Sequence, residues 1–212
     1  MAFAIPTYGV LKTEIADELD RSDLTAKLPR FILQVEARVN SEARHPDMET
    51  VSEAQAENET MALPSDFLAM RSIHIEGAPD RPLKALAPNA VAVNYTGTTG
   101  TPVAYVQRGR GSIQLVPPPA KAITLRLHYY SHIPSMESDT ASNWLLLKYP
   151  NLYLYGALSV AAAYLGDEAL LNRYGSLFEV EIARLIEVGK RDRYGSGPLA
   201  PSTITQVWGA RC

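Results

Sequence analysis

The sequence predicts an α+β protein: a helical bundle from both chain ends, with an inserted antiparallel β-sheet subdomain and an extended C-terminal tail. Apolar residues recur at helical spacing before residue 45 and again after residue 143, whereas the segment between them alternates as short strands do. The longest apolar run, residues 143–166, is interrupted by Lys148 and Pro150. We therefore expect a buried or subunit-contacting helix there rather than a membrane span.

Two helices are predicted near the N-terminus. Thr7 is a suitable N-cap for a helix over Tyr8–Leu19, because its hydroxyl oxygen can accept a free backbone N–H. A second helix is predicted from about Thr25 to Arg44, with Pro29 in its first turn. The apolar residues of this helix share one stripe, and they are Leu28, Ile32, Val35 and Val39.

The middle of the chain carries the signals of short strands separated by turns. The predicted strands are Glu59–Leu63, Met70–Glu76, Leu83–Leu86, Val103–Arg108, Ser112–Pro117 and Ile123–Tyr130. Gly109-Arg110-Gly111 is predicted as a hairpin turn, Gly77–Pro82 as a turn, and Pro88–Tyr95 as one or two helical turns. We expect one antiparallel sheet of about five strands with one face packed on the helices.

The apolar stretch after residue 142 predicts a short helix, a kink and a long helix. Asn143 can cap the short helix, Trp144–Lys148, through its side-chain oxygen. Pro150 suits the first turn of the long helix, and Gly166 can end it in the left-handed conformation.

Asp167 can cap a last helix, which is predicted from Glu168 to about Lys190. Beyond this helix the chain loses its periodicity, although residues 202–208 (STITQVW) are typical of a strand. Such a tail could add a strand to the sheet of a neighbouring chain. The predicted units are residues 1–50 and 136–190 for the bundle, 51–135 for the β subdomain and 191–212 for the tail.

Composition excludes several classes of protein. The 212 residues suit one domain with an embellishment, and a net charge of −3 argues against a protein that grips nucleic acid through its phosphates. The single cysteine, Cys212, leaves no partner for an intrachain disulfide, and we expect a reducing compartment. The first residues lack the pattern of a signal peptide.

No catalytic or metal-binding constellation is predicted, and no cofactor. The four histidines show no metal-ligand spacing with cysteine or carboxylate residues. A catalytic triad could be composed from Ser135, His132 and Asp139, but no serine has a nucleophile-elbow pattern around it. The acidic residues of the first helix are interpreted as a solvated face. A small hydrolase with a site near His128 and His132 remains the enzymatic alternative.

Several stretches in order resemble the head–tail adaptor proteins of tailed bacteriophages, the group that includes the tail tubular protein A type. The matching stretches are Leu28–Ile32, Glu36–Arg38, Leu63–Leu68, Met70–Ile73, Tyr129-Tyr130, Ile133-Pro134, Ser142–Leu146, Tyr149-Pro150, Tyr153–Leu158 and Ala161–Leu165. The resemblance covers roughly residues 25 to 180, and the block around Asn143–Leu165 is its most specific part.

The resemblance implies a non-enzymatic virion protein at the head–tail junction, made in the host bacterial cytoplasm. Such proteins form a homo-oligomeric ring, usually of twelve copies, which joins the portal to a tail or nozzle protein. Genomic DNA passes through the ring, at head completion and ejection, without sequence-specific binding, and no membrane is involved. Another tail-completion or minor capsid protein is the alternative within the virion.

The resemblance also suggests which residues make contacts. We expect Trp144, Tyr149, Tyr153 and Tyr155 to lie at the interface between subunits, because a ring subunit needs more apolar surface than one core can hide. The C-terminal segment of such adaptors commonly engages the portal. The residues expected to do so here are Pro201, Ile204, Val207 and Trp208.

Overall fold

A computed structural model describes residues 5–90 and 99–194 and confirms the α+β class. Its α-helices are α1 (Tyr8–Leu19), α2 (Leu28–Glu42), α3 (Trp144–Lys148), α4 (Pro150–Leu165) and α5 (Glu168–Tyr194). Its strands are β1 (Glu49–Ala56), β2 (Thr60–Ala62), β3 (Phe67–Ile75), β4 (Ala78–Pro82), β5 (Lys84–Ala85), β6 (Ala104–Arg108), β7 (Ser112–Val116) and β8 (Ile123–Ser131). Short 3₁₀ turns occur at Thr25–Lys27, Pro46–Met48 and Pro88–Ala90.

The predicted helix caps are confirmed. The Thr7 hydroxyl oxygen accepts from the backbone N–H of Val10 over 3.4 Å, and the Asn143 side-chain oxygen accepts from Leu146 over 2.9 Å. Asp167 accepts from the N–H of Leu170 over 3.0 Å at the start of α5.

The bounds of two helices differ from the prediction, whereas the end of α4 agrees with it. Gly166 ends α4 with a φ of 72°, the left-handed conformation expected of it. The second helix is shorter than predicted, because a 3₁₀ turn precedes Leu28. The last helix is longer and continues to Tyr194. The helical turns predicted over Pro88–Tyr95 are found at Pro88–Ala90, and residues 91–95 lie outside the described part of the chain.

The β-region contains two four-stranded sheets instead of the single sheet of about five strands that we expected. Their strand orders are β1-β8-β3-β4 and β2-β7-β6-β5, and all pairs are antiparallel except β5 with β6. The prediction missed β1, since its Glu, Gln, Ser and Ala residues have low strand propensity. It read β4 as a turn because of its prolines, which an edge strand tolerates.

The two sheets bury their apolar faces against each other. Ile73 and Leu127 of the first sheet and Ile113 and Leu115 of the second are fully buried in one cluster. We expected one sheet face to pack on the helices, and it does so only at one end of the first sheet, where Tyr130, Leu68 and Ala69 reach the helical core. Strand β8 reaches both cores, since Tyr129 belongs to the cluster between the sheets and Tyr130 to the helical one.

Helix α4 is the centre of the helical bundle and packs against α1, α2 and α5. Gly156 allows this close approach. A Cβ at that position would lie 2.7 Å from Val35 Cγ2 and 2.8 Å from Phe178 Cε2. Because both atoms belong to buried side chains, α2, α4 and α5 can meet here only around a residue without a side chain.

Candidate assembly surfaces of the helical bundle

Tyr153 of α4 lies at the centre of a buried polar network. Its side chain is fully buried, and its hydroxyl donates to Glu36 Oε1 over 2.8 Å and accepts from Asn143 Nδ2 over 2.9 Å. Asn143 Nδ2 also donates to the carbonyl oxygen of Pro134 over 2.9 Å. The network therefore joins α2, α4, the cap of α3 and the segment that arrives from the β-region.

The protonation of this network follows from its burial. Desolvation raises the pKa of the Glu36 carboxyl, and the hydrogen bond from Tyr153 partly opposes that rise. Desolvation, reinforced by the charge of Glu36, raises the pKa of Tyr153 far above its usual value. Tyr153 therefore remains a hydrogen-bond donor at any physiological pH, and it braces the interior of the subunit.

Trp144 and Tyr149 meet on a common partner, His45. The Trp144 ring stacks on the imidazole with centroids 5.1 Å apart, and the Tyr149 ring meets it edge-on at 5.8 Å. His45 is buried, and desolvation lowers its pKa although Asp47 opposes the shift. Its Nδ1 accepts from the backbone N–H of Asp47 over 3.2 Å, which only a neutral ring can do.

Tyr155 lies in a different environment. Its ring stacks on Tyr174 of α5 with centroids 6.3 Å apart, and the Tyr174 hydroxyl donates to Glu18 of α1 over 2.6 Å. Trp144, Tyr149 and Tyr155 all keep part of their surface exposed, and Leu147 beside the first two is 61% exposed. These side chains can contact a neighbouring molecule directly.

The predicted interface residues thus fall into two groups. Three keep exposed surface, whereas Tyr153 has none and can affect a subunit contact only through the residues that it holds in place. We therefore assign Tyr153 to the interior of the subunit. The predicted portal-binding residues Pro201, Ile204, Val207 and Trp208 lie outside the described residues.

Sequence reasoning missed an exposed surface on the outer side of α5. It followed the inward stripe of this helix and left the opposite face aside. Two apolar side chains protrude there, since Leu177 is 39% and Val180 is 63% exposed. Their separation by three residues on an otherwise polar face was the available signal.

The alternative hydrolase site would lie in a cleft of about 680 Å³ between α2 and the β-region. His132 and Ser135 line it, but no hydrogen bond among the described residues joins them to Asp139, which pairs with Lys12 over 2.5 Å. His128 packs instead against His74, with ring centroids 5.6 Å apart. The described part of the chain has no cluster of three or more potential metal ligands.

None of the helices described here is both long enough and apolar enough to span a bilayer. The chain also matches no curated protein at a significant level. The model of one protein family, the SU10 adaptor proteins, matches residues 6–202 of the chain. That match takes in the helical bundle and both sheets. The chain therefore belongs to the SU10 adaptor protein family and is a structural adaptor protein of a bacteriophage virion.

Proposed function

We propose that this adaptor forms a ring that joins the portal to the tail and extends the DNA channel. The observation that carries the proposal is the family match over residues 6–202, because it ties nearly the whole chain to adaptors of phage particles. The family membership implies contact with other head or tail components. The ring, the portal as partner, the position at the head–tail junction and the tail tubular protein A type are our proposal.

The exposed apolar surface of the bundle supports a subunit contact. Leu147 on α3, Tyr164 on α4 and Val180 on α5 are each at least half exposed, although the bundle already has a complete core. Burying such side chains against a neighbour is favourable by about 25 cal/mol per Å² of apolar area. Together with the partly exposed Trp144, Tyr149 and Tyr155, they provide surface for the two unlike faces of a ring subunit.

The presence of two separate cores, one in the bundle and one between the sheets, also supports the proposal. We assign ring formation to the bundle, residues 1–50 and 136–190, and contact with the tail to the β-region, residues 51–135. Tyr153 ties the two parts together through Asn143 and Pro134. A joint braced by buried hydrogen bonds suits a part that must keep its shape between two larger assemblies.

The end of α5 is held in a way that suits a tethered tail. Arg193 Nη2 donates to the carbonyl oxygen of Arg44 over 2.5 Å, and its guanidinium lies 5.5 Å from the centre of the Tyr130 ring. Arg193, near the end of α5, is therefore held against the bundle. We propose that the tail residues Pro201, Ile204, Val207 and Trp208 bind the portal.

The charge of the chain suits a DNA conduit. A net charge of −3 gives the duplex no strong electrostatic attraction, so DNA can pass through the ring without being held. We propose that the channel wall is neutral or acidic and makes no sequence-specific contact with DNA.

Assembly with isolated portal tests the proposal. We expect the full chain to form a ring on the portal that is visible by electron microscopy, and a chain lacking Pro201–Cys212 to fold but to bind the portal weakly. A protein that stays monomeric with portal, in a phage whose particles keep DNA and bind tails without it, would contradict the proposal. A ring found elsewhere in the particle would identify a tail-completion or minor capsid protein instead.

A further inference from the structure

The outer face of α5 forms a continuous exposed stripe along the longest described helix. Its six residues are all exposed, and they are Arg173, Leu177, Val180, Arg184, Glu187 and Arg191. They are separated alternately by four and three residues, which is the spacing of a helix–helix seam. From Arg173 to Arg191 the stripe is about 27 Å long at 1.5 Å per residue.

The stripe lies apart from the packing of the subunit itself. The opposite side of α5 is buried in the helical core through Tyr174, Phe178 and Ile182. On the outer side, Leu177 and Val180 stand at the centre of the stripe, with Arg173 before them and Arg184 after them. This order suits a partner helix that carries an apolar residue and carboxylates.

Helix α1 of the same chain has the complementary pattern. Val10, Thr13, Asp17 and the capping residue Asp20 are exposed and are separated by three, four and three residues. Val10, which is 37% exposed, is the apolar member, and the two aspartates are the acidic ones. The carboxylate cluster that the sequence suggested as a solvated face therefore has the spacing of a second seam.

We propose that the α5 stripe of one copy packs against the α1 stripe of the next copy in the ring. In a parallel arrangement of the two helices, Leu177 and Val180 would cover Val10 and Arg184 would meet Asp17. Because the two surfaces differ, each copy uses both, and such a head-to-tail contact generates a ring when its rotation closes. The inference rests on the proposed ring and specifies which surfaces build it.

Pairing of two α5 stripes with each other is electrostatically worse. In a parallel pair each arginine would face the same arginine of the other copy, and like charges at a close contact are unfavourable. In an antiparallel pair centred on Val180, Arg184 would come against Leu177 of the other copy and bury its charge on an apolar side chain. The α1 stripe offers Arg184 the carboxylate of Asp17 instead.

Disulfide cross-linking tests the proposed contact in the assembled ring. In a Cys212→Ser background, the variant with Val10→Cys and Val180→Cys should give a ladder of covalent oligomers when oxidised on the portal. The matched control combines Val10→Cys with Val103→Cys, a position of the β-region that is 52% exposed, and it should give no ladder. Cross-linked dimers from Val180→Cys alone would show α5 paired with α5 and would overturn the inference.

Charge exchange provides a second test. Arg184→Glu and Asp17→Arg should each lower ring formation at least tenfold, and the double variant should recover most of it. The Arg184 side chain is 67% exposed and lies a long 3.9 Å from Glu181, so its substitution should change the melting temperature only slightly. Arg126→Glu, at an exposed site in the β-region, is the control and should assemble normally.

The outcomes separate this inference from the proposed function. If the wild-type chain forms the ring on the portal and the charge variants do so equally well, the α5–α1 contact is wrong and the ring stands. If the wild-type chain forms no ring with the portal, the proposed function fails and this inference fails with it.

Discussion

The helical bundle and the β-region bury their interiors in different ways. Among the described residues, the buried polar side chains all lie in the bundle, and they are Glu36, His45, Asn143 and Ser159. The cluster between the sheets consists of apolar side chains and the rings of Tyr105 and Tyr129. In the bundle, directional hydrogen bonds are added to a large apolar core, whereas the core between the sheets is almost entirely apolar.

The difference matters for an adaptor because the exposed stripes and aromatic residues are on the bundle. The proposed contact between subunits requires that α1, α3 and α5 keep fixed relative positions. The Tyr153 network holds the start of α3 against α2 and α4, and the hydrogen bond from Tyr174 to Glu18 joins α5 to α1. The β-region needs only a stable core, since its strands are already aligned by their ladder hydrogen bonds. Four substitutions test this contrast.

The largest effect is expected in the sheet core. Leu127→Ala removes a fully buried side chain of β8 and leaves a cavity, which should lower the free energy of unfolding by about 2–5 kcal/mol. The exposed Leu147→Ala is the control and should change it by less than about 0.5 kcal/mol. Denaturant unfolding measures both, and equal effects would contradict the described core.

The polar network should be less costly to break than the apolar core. Tyr153→Phe removes the hydroxyl that donates to Glu36, and the desolvated carboxyl loses that partner. We expect a loss of about 1–3 kcal/mol in the free energy of unfolding. Tyr164→Phe, at a ring that is 50% exposed, should have almost no effect in the same urea titration. If Tyr153→Phe left the free energy of unfolding unchanged, the network would not brace the bundle.

Gly156 tests the close approach of three helices. Gly156→Ala should destabilise the protein, because overpacking against Val35 and Phe178 costs about 1–3 kcal/mol and the gain in helix propensity offsets only about 1 kcal/mol. Gly175→Ala in α5 is the matched control, since a Cβ there meets no atom within 4 Å. It should raise the melting temperature, and a rise for Gly156→Ala as well would refute the packing described for α4.

The smallest effect concerns pH. Because burial raises the pKa of Glu36 in the folded state, the folded protein binds this proton more tightly than the unfolded chain does. The free energy of unfolding therefore falls as pH rises from the ordinary pKa of a glutamate to the raised pKa of Glu36 in the folded protein. Glu36→Gln should flatten the pH dependence of the melting temperature in that window and stabilise the protein at neutral pH. An unchanged slope would show that Glu36 is not desolvated.

The sequence alone allowed the helices to be predicted closely, because their boundaries depend on neighbouring residues. Thr7, Asn143 and Asp167 cap through hydrogen bonds to an N–H three residues ahead, and Gly166 needs only its own freedom of φ. Strand β1 could not be predicted in this way. Apart from Thr50 and Val51, its residues have little strand propensity of their own, and the residues of β8 that pair with it lie 67–81 positions farther along the chain.

The site was predicted only in part for the same reason. Sequence identified four aromatic residues of one apolar segment and could not separate Tyr153 from Trp144, Tyr149 and Tyr155, because burial depends on what packs against each ring. The sequence shows the spacing of Leu177 and Val180 on α5, but which face of this helix is exposed depends on α4, which covers the opposite face.

The sequence by itself determined the fold class, most helix starts and stops, and the resemblance to phage adaptors. Tertiary structure decided that the strands form two sheets, that three helices meet at Gly156, and which polar groups are enclosed. The physical reason is the range of the interactions. A cap or a turn is decided within about four residues, whereas the hydrogen bond between Glu36 and Tyr153 joins positions 117 residues apart.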